Sequence, residues 1–178
     1  MLSKQQLGLL LFGIADTGLR GKVEDYKAYI LSLLFFKRLS DNYEWETKFR
    51  VAEFQEQYGA DPNKRQLARL QEEGHPFVIP PGCFWSDVRN APLEKKNERL
   101  HEAVNGIKDR NPALKGIIDA VRWNEPAPDG SGNKRLDPEV VAGAINYLDP
   151  IPLDNDNVFA RRVRRCLRIS HQTLRRRE

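Results

Sequence analysis

The chain has 178 residues, of which 40% are hydrophobic and 30% are charged, a balance typical of a globular domain and not of a disordered chain. Its longest near-apolar run, residues 28–36, is well short of the roughly 20 residues that span a bilayer, so we expect no membrane segment and a cytoplasmic protein. Residues 161–178 hold eight Arg and one Glu, a charge of +7, whereas the whole chain carries +4, so residues 1–160 sum to 4 − 7 = −3. A basic surface for nucleic acid would therefore have to come from this tail.

The first predicted helix follows Ser3, with Gln6 three residues later as in a capping box. It should end near residues 16–18, where Gly18 and Gly21 supply backbone freedom for a loop. Helical spacing places four apolar residues on one face: Leu7, Leu10, Leu11 and Ile14.

The second predicted helix begins near residues 23–25, where Glu24 and Asp25 suit the positive end of the helix dipole. Residues 28–36 (AYILSLLFF) contain one strongly polar side chain, Ser32, and a helix that is apolar all round should be buried on several sides. After Asp41 the helix either continues as an amphipathic helix or breaks at residues 40–42, and it ends before Gly59.

The middle of the chain alternates short helices with a proline- and glycine-rich region around residues 74–92. Residues 63–73 are predicted to form a short polar helix with Leu67 and Leu70 facing inward. Three prolines and two glycines exclude a helix from residues 74–85, where residues 77–79 are expected to be extended. A new turn or short helix is predicted at residues 86–89.

The last third reads as helical, with an exposed loop at residues 125–134. Helices are predicted at residues 93–109 and 113–121, and a final one opens with Asp137 as cap and Pro138 at its first position. Its apolar face comprises Val140, Val141, Ala144, Ile145 and Leu148. Because no alternating strand pattern occurs, we predict an all-α fold, an irregular multi-helix bundle with the Pro/Gly-rich loop region.

A motif search finds no catalytic, cofactor or metal site. The three histidines, His75, His101 and His171, have no ligand or nucleophile spacing and are interpreted as solvated or partly packed. Cys83 and Cys166 lack metal-ligand neighbours. A nucleotide-binding loop follows a strand and opens a helix, and the glycines near residues 129–132 do neither.

Two groups of residues have both a binding and a structural interpretation. Four aromatic residues could stack on bases or close the core: Trp45, Phe84, Trp85 and Trp123. Lys37 and Arg38 directly follow the apolar run and need either an exit to solvent at the helix edge or an anionic partner. We therefore predict Lys37 and Arg38 as a contact to DNA phosphate or to a partner protein.

Leu-Arg-Gly at residues 19–21 is followed by Tyr-Lys at 26–27, and the pattern continues through the apolar run to Ser-Asp at 40–41. These segments, in this order, resemble the N-terminal helical domain of the modification subunit of type I restriction-modification systems. Phe36 stands where the family usually has Leu. The similarity resumes at three later places: residues 77–80 with Trp85-Ser86, residues 111–116, and residues 154–158.

The resemblance implies a part of an N6-adenine DNA methyltransferase, in which two modification subunits assemble with one specificity subunit that reads DNA. The helical domain would close on DNA and contact its partners, while a separate α/β domain binds S-adenosylmethionine and holds the flipped adenine. Neither residues 111–114 nor residues 149–152 match the adenine-binding motif. We expect the chain alone to bind no cofactor and to be inactive.

The resemblance also divides the chain into a helical domain, residues 1–158, and an Arg-rich tail, residues 159–178. One permitted back-translation of residues 162–173, shifted by one base, encodes Val-Phe-Gly-Asp-Ala-Tyr-Glu-Tyr-Leu-Ile-Lys, close to the family's continuation. We interpret the tail as frameshifted and poorly ordered. The alternative is a stand-alone helical nucleic-acid-binding or protein-interaction module that uses a genuine Arg-rich tail.

Overall fold

The computed structural model describes residues 4–19, 26–72, 75–127 and 135–159. Within these ranges the chain forms seven α-helices and no β-strand, which confirms the all-α prediction. Helices α1 to α7 span Lys4–Ile14, Tyr26–Tyr58, Lys64–Glu72, Trp85–Arg89, Lys96–Arg110, Pro138–Leu148 and Asn155–Phe159. A π-helical turn, Ala15–Leu19, and two 3-10 segments, Leu93–Lys95 and Pro112–Leu114, complete the regular structure of these ranges.

Helix α1 ends close to the predicted position and runs into the π-helical turn. Gly18 there has a φ of 107°, which L side chains rarely adopt, and this residue ends the helical geometry. Leu10 and Ile14 are buried, as the helical spacing predicts. Ser3 and residues 20–25, which include the predicted start of the second helix, lie outside the described residues.

Helix α2 is a single unbroken helix of 33 residues, so the amphipathic continuation is correct and the break is not. The polar side chains at the proposed break are used elsewhere: the Ser40 hydroxyl accepts a hydrogen bond from the backbone N–H of Trp85, and Asn42 donates to Glu46 at 2.8 Å. The apolar run is buried on several sides, as expected, and Leu31 is its one largely exposed side chain, at 61%.

One continuous core joins α2 to α1, α4, α5 and α6. Phe36 of α2 packs against Trp85 with ring centroids 5.6 Å apart, and Tyr29 meets the edge of Trp123 at 5.1 Å. Each large apolar side chain buried in this way stabilises the fold by about 1.5–3 kcal/mol. The largest fully buried side chains are Trp123, Phe36, Ile14, Leu33, Leu100, Ile107, Ile118, Leu136, Ile145, Leu148 and Val88.

The Pro/Gly-rich region is held to the core by a side-chain amide rather than by a strand. Asn111, after α5, accepts from the backbone N–H of Val78 and donates to the Val78 carbonyl, both at 2.7 Å. The same amide nitrogen donates to the Ile107 carbonyl at 2.6 Å. One buried Asn thus satisfies backbone groups that would otherwise be unpaired.

Two sequence-based predictions in the last third need correction. Residues 113–121 are not a helix but a 3-10 segment followed by turns, because Gly116 adopts a φ of 82° and its N–H is bonded to Asp119. Asp137 precedes α6, yet its side chain makes no capping hydrogen bond; its carbonyl accepts from Val140 and Val141 instead.

Candidate functional site

Lys37, one of the two predicted contact residues, lies inside the fold beside an acid of its own helix. Its side chain is 5% exposed, and its Nζ donates to both carboxylate oxygens of Asp41 at 2.6 Å. The ammonium lies 5.4 Å from the ring centroid of Trp85, within the range of a cation–π contact. Side chains four residues apart meet on one face of a helix, so the geometry of α2 alone brings Lys37 and Asp41 together.

The same part of α2 holds the segment that follows α6. Asp41 Oδ2 accepts from the backbone N–H of Leu153 at 2.8 Å. Arg38 donates to the carbonyl of Leu153 and to the side-chain oxygen of Asn155. Burial lowers the pKa of Arg38 while the carboxylates of Asp154 and Asp41 oppose that effect, and the guanidinium stays charged. Residues 153–155 are thus tied to α2 through backbone and side-chain contacts.

A second acid, Asp149, joins the end of α6 to α4. It accepts from the indole N–H of Trp85 at 2.9 Å and from Arg89 at 3.1 and 3.2 Å. Burial raises the pKa of Asp149, but the hydrogen bonds from Trp85 and Arg89 outweigh it, so that the pKa lies below its ordinary value. The carboxylate is therefore ionised near neutral pH.

These contacts form a junction cluster, which we define as Lys37, Arg38, Asp41, Trp85, Arg89 and Asp149. It fastens α2, α4 and the segment after α6 to one another through paired charges. In the described conformation both predicted contact residues are engaged within the chain. Their contact with DNA or a partner stays a prediction.

Sequence reasoning missed the acids of the junction cluster. The spacing of Lys37 and Asp41, four residues apart on a predicted helix, was the available signal for that pair. Asp149 entered only through the comparison of residues 149–152 with the adenine-binding motif. No local pattern connects Asp149 to Trp85, because the two are 64 positions apart and only the folded chain brings them together.

The four candidate aromatic residues divide between core and surface. Trp85 and Trp123 are at most 4% exposed and belong to the core, so the structural interpretation holds for both. Phe84 and Trp45 are partly buried. Trp45 stacks on Phe49 with centroids 5.9 Å apart, on the half of α2 that extends away from the core.

His75 occupies a closed site that its sequence position did not reveal. Its side chain is 1% exposed; Nδ1 lies 2.8 Å from Glu46 Oε2, and Nε2 lies 3.3 Å from the Thr47 hydroxyl. The ring stacks on Tyr43 with centroids 3.9 Å apart. Burial lowers the pKa of His75, and the hydrogen bond with Glu46 only partly offsets this effect.

Among the described residues no group of His, Cys, Asp or Glu is arranged to hold a metal ion. No helix in the described ranges is long and apolar enough to cross a membrane. His171, Cys166 and the glycines at 130 and 132 fall outside the described residues. The paired charges of the junction cluster position chain segments relative to one another.

Comparison with known families of protein domains gives a match over most of the chain. Residues 8–148 match the family model described as the HsdM N-terminal domain. The matched region contains most of α1 and all of α2 to α6, and therefore the greater part of the junction cluster. No curated protein matches the chain.

Proposed function

The chain belongs to the HsdM N-terminal domain family, that of type I restriction-modification modification subunits, and we propose that it engages DNA and partner subunits in such a complex. The observation that carries this proposal is the match over residues 8–148, which covers most of the chain. The finer assignments follow from the resemblance: adenine N6 as the methylated position, with a second modification subunit and a specificity subunit as partners.

The surface of the helical domain supports a role in binding partners. Several large apolar side chains on α1 and α2 are exposed to solvent, among them Leu9 at 71%, Leu31 at 61% and Tyr58 at 62%. Apolar side chains that cluster at a surface are typical of protein interaction sites. A domain that works inside an assembly needs apolar surfaces for its partners, whereas a domain that works alone is expected to have a polar surface.

S-adenosylmethionine is the cofactor that the resemblance implies, and the described residues do not fit it. A nucleotide-like cofactor of this class lies at the carboxyl ends of parallel strands, beside a glycine-rich turn. The described ranges contain no strand, and their glycines with positive φ follow helices or lie in turns. We propose that these 178 residues do not hold the cofactor.

Capture on an immobilised complex tests the partner role. The complex would contain a specificity subunit and an intact modification subunit, with or without duplex DNA carrying the target site. We expect the chain to be retained, and more strongly when DNA is present. A correctly folded chain that passes through under both conditions would contradict the proposal. Calorimetry with S-adenosylmethionine should show no stoichiometric binding to the chain alone.

The eight arginines within residues 161–178 favour a second candidate, a nucleic-acid-binding module that grips phosphates through its tail. Its affinity for DNA would fall steeply with salt and would disappear when residues 161–178 are deleted. The type I assignment predicts instead that deleting these residues leaves retention on the complex unchanged. The two deletion results therefore separate the candidates.

A further inference from the structure

Helix α2 is about twice as long as its buried part. All of its buried residues lie between Tyr29 and Tyr43, and no residue from 44 to 58 is buried. At 1.5 Å per residue, this distal half extends about 22 Å beyond the core. We call residues 44–58 together with α3 the arm.

Helix α3 runs antiparallel to the distal half of α2. The Tyr43 hydroxyl donates to the carbonyl of Gln71 near the base of the arm, and Gln55 donates to Asp61 near its tip. The side chain of Asn63 caps α3 by accepting from the backbone N–H groups of Arg65 and Gln66. Two packed antiparallel helices leave an open groove where a bundle would place its next helix.

That groove is open to solvent and lined by aromatic and charged side chains. Its volume is about 560 Å³. Phe49 is 38% exposed and Tyr58 is 62% exposed, and each has an aromatic neighbour on α2. Its lining comprises Glu46, Phe49, Arg50, Glu53, Phe54, Gln57, Tyr58 and Leu70.

The charges of the groove decide between a protein and a nucleic acid as its occupant. All three charged lining residues come from α2, and two of them, Glu46 and Glu53, are acidic while Arg50 is basic. Residues 44–58 as a whole carry four Glu against one Lys and one Arg. Helix α3 adds Lys64, Arg65 and Arg69 to the arm, but none of these three lines the groove, so the lining keeps a net charge of −1 from its two Glu and one Arg. A negatively charged wall disfavours phosphates and favours lysine and arginine side chains at the edge of a protein helix.

We propose that the groove of the arm binds an amphipathic helix of a protein partner, with an apolar stripe and flanking basic residues. Phe54 and Tyr58 lie one turn apart on α2, Phe49 lies five residues before Phe54, and all three line the groove, where they would contact the apolar stripe of the partner helix. Aromatic side chains are the commonest anchors of such interfaces. The partner helix would complete a three-helix arrangement with α2 and α3.

A second groove, between α1 and the start of α2, provides a control surface. Its volume is about 390 Å³, Phe12 and Leu31 are among its lining residues, and Lys27 is the one charged residue of that lining. The two grooves thus differ in the sign of their charge. Phe12→Ser removes a comparable exposed ring without touching the arm.

Three synthetic helical peptides test the proposal, all with the same leucine stripe and with flanking residues that are Lys, Glu or Gln. Their binding to the full chain is measured by fluorescence anisotropy. The Lys-flanked peptide should bind about tenfold more tightly than the Glu-flanked one. Phe49→Ser combined with Tyr58→Ser should weaken it at least about tenfold, whereas Phe12→Ser should leave it unchanged.

Glu53→Lys tests the charge preference separately, because Glu53 is exposed and its replacement should leave the fold intact. This variant should bind the Glu-flanked peptide better and the Lys-flanked peptide worse than the wild type does. Equal affinities for the three peptides, a loss of binding in Phe12→Ser, or displacement of the peptide by duplex DNA would each overturn the proposal. Should the aromatic double variant fail to fold, the Glu53→Lys result decides alone.

Discussion

At the level of single residues, the charges of α2 stabilise contacts within the chain. Lys37 is surrounded by Asp41 and the Trp85 ring, and Asp41 also holds the backbone of Leu153. A charge at this depth is tolerated because its hydrogen bonds and its counter-charge are provided together. The removal of one member therefore leaves the others buried without their partners.

Lys37→Met should destabilise the domain by about 2–4 kcal/mol, because it leaves the largely buried Asp41 carboxylate without its cation. Urea denaturation followed by circular dichroism measures this change. The matched control is Lys48→Met on the exposed part of the same helix, which should change the stability by less than about 0.5 kcal/mol. Equal effects of the two variants would contradict a structural role for Lys37.

His75 should make stability depend on pH in mildly acidic solution. Its folded-state pKa is lowered by burial, so the unfolded chain binds more protons once the pH falls below about 6.5. This contribution to stability is complete above the ordinary pKa and is lost as the pH falls toward the lowered value.

The urea midpoint of the wild type should therefore decrease between about pH 7 and pH 5, and His75→Gln should reduce this decrease. His101→Gln, which removes a histidine on α5, should keep the wild-type dependence. A His75→Gln profile parallel to the wild type would show that the buried ring does not set the slope.

At the level of elements, sequence patterns located the helices better than the contacts between them. Apolar spacing identified the faces of α1 and α6, because those faces pack on one core. The sequence predicts a helix at residues 113–121, but Gly116 takes a left-handed φ of 82° and the segment after Leu114 forms turns. The junction cluster and the His75 site depend on partners up to 117 positions apart, which no local pattern contains.

Gly106 on α5 lies close to Cys83 and Pro80 of the Pro/Gly-rich region. A methyl group there would lie 2.7 Å from the Cys83 sulfur, which is too close for van der Waals contact. In Gly106→Ala, the higher helix propensity of Ala should stabilise the domain by about 1 kcal/mol. The clash with the Cys83 sulfur should cost about 1–3 kcal/mol and so cancel or exceed that gain.

In a Cys83→Ala background the same substitution should stabilise the domain by about 0.5–1 kcal/mol, because the sulfur is gone. A double-mutant cycle of unfolding free energies measures this coupling. Additive effects would show that the two residues are not in contact.

At the level of the whole molecule, the chain combines a mildly acidic helical domain with an Arg-rich terminal segment. The family match ends at residue 148, within α6, and the described structure ends with α7. The positive net charge of the chain therefore comes from residues 161–178, and the helical domain itself is mildly acidic. Two open grooves and an arm about 22 Å long give that part more surface for partners than a closed bundle would have.

The frameshift interpretation of residues 159–178 makes a prediction about the gene. Its nucleotides after codon 161, read one base later, should encode Gly-Asp-Ala-Tyr and then continue into an S-adenosylmethionine-binding domain. Nucleotide sequencing of this region checks the prediction. A shifted frame that soon reaches a stop codon would favour the genuine Arg-rich tail.

The most direct test of the account is the DNA affinity of a type I complex whose modification subunit lacks its own N-terminal helical domain. The dissociation constant for duplex DNA carrying the target site is measured with and without this chain added in excess. If the chain is a DNA- and partner-engaging domain, its addition should tighten DNA binding about tenfold. An unchanged dissociation constant, with the added chain correctly folded, would contradict the account.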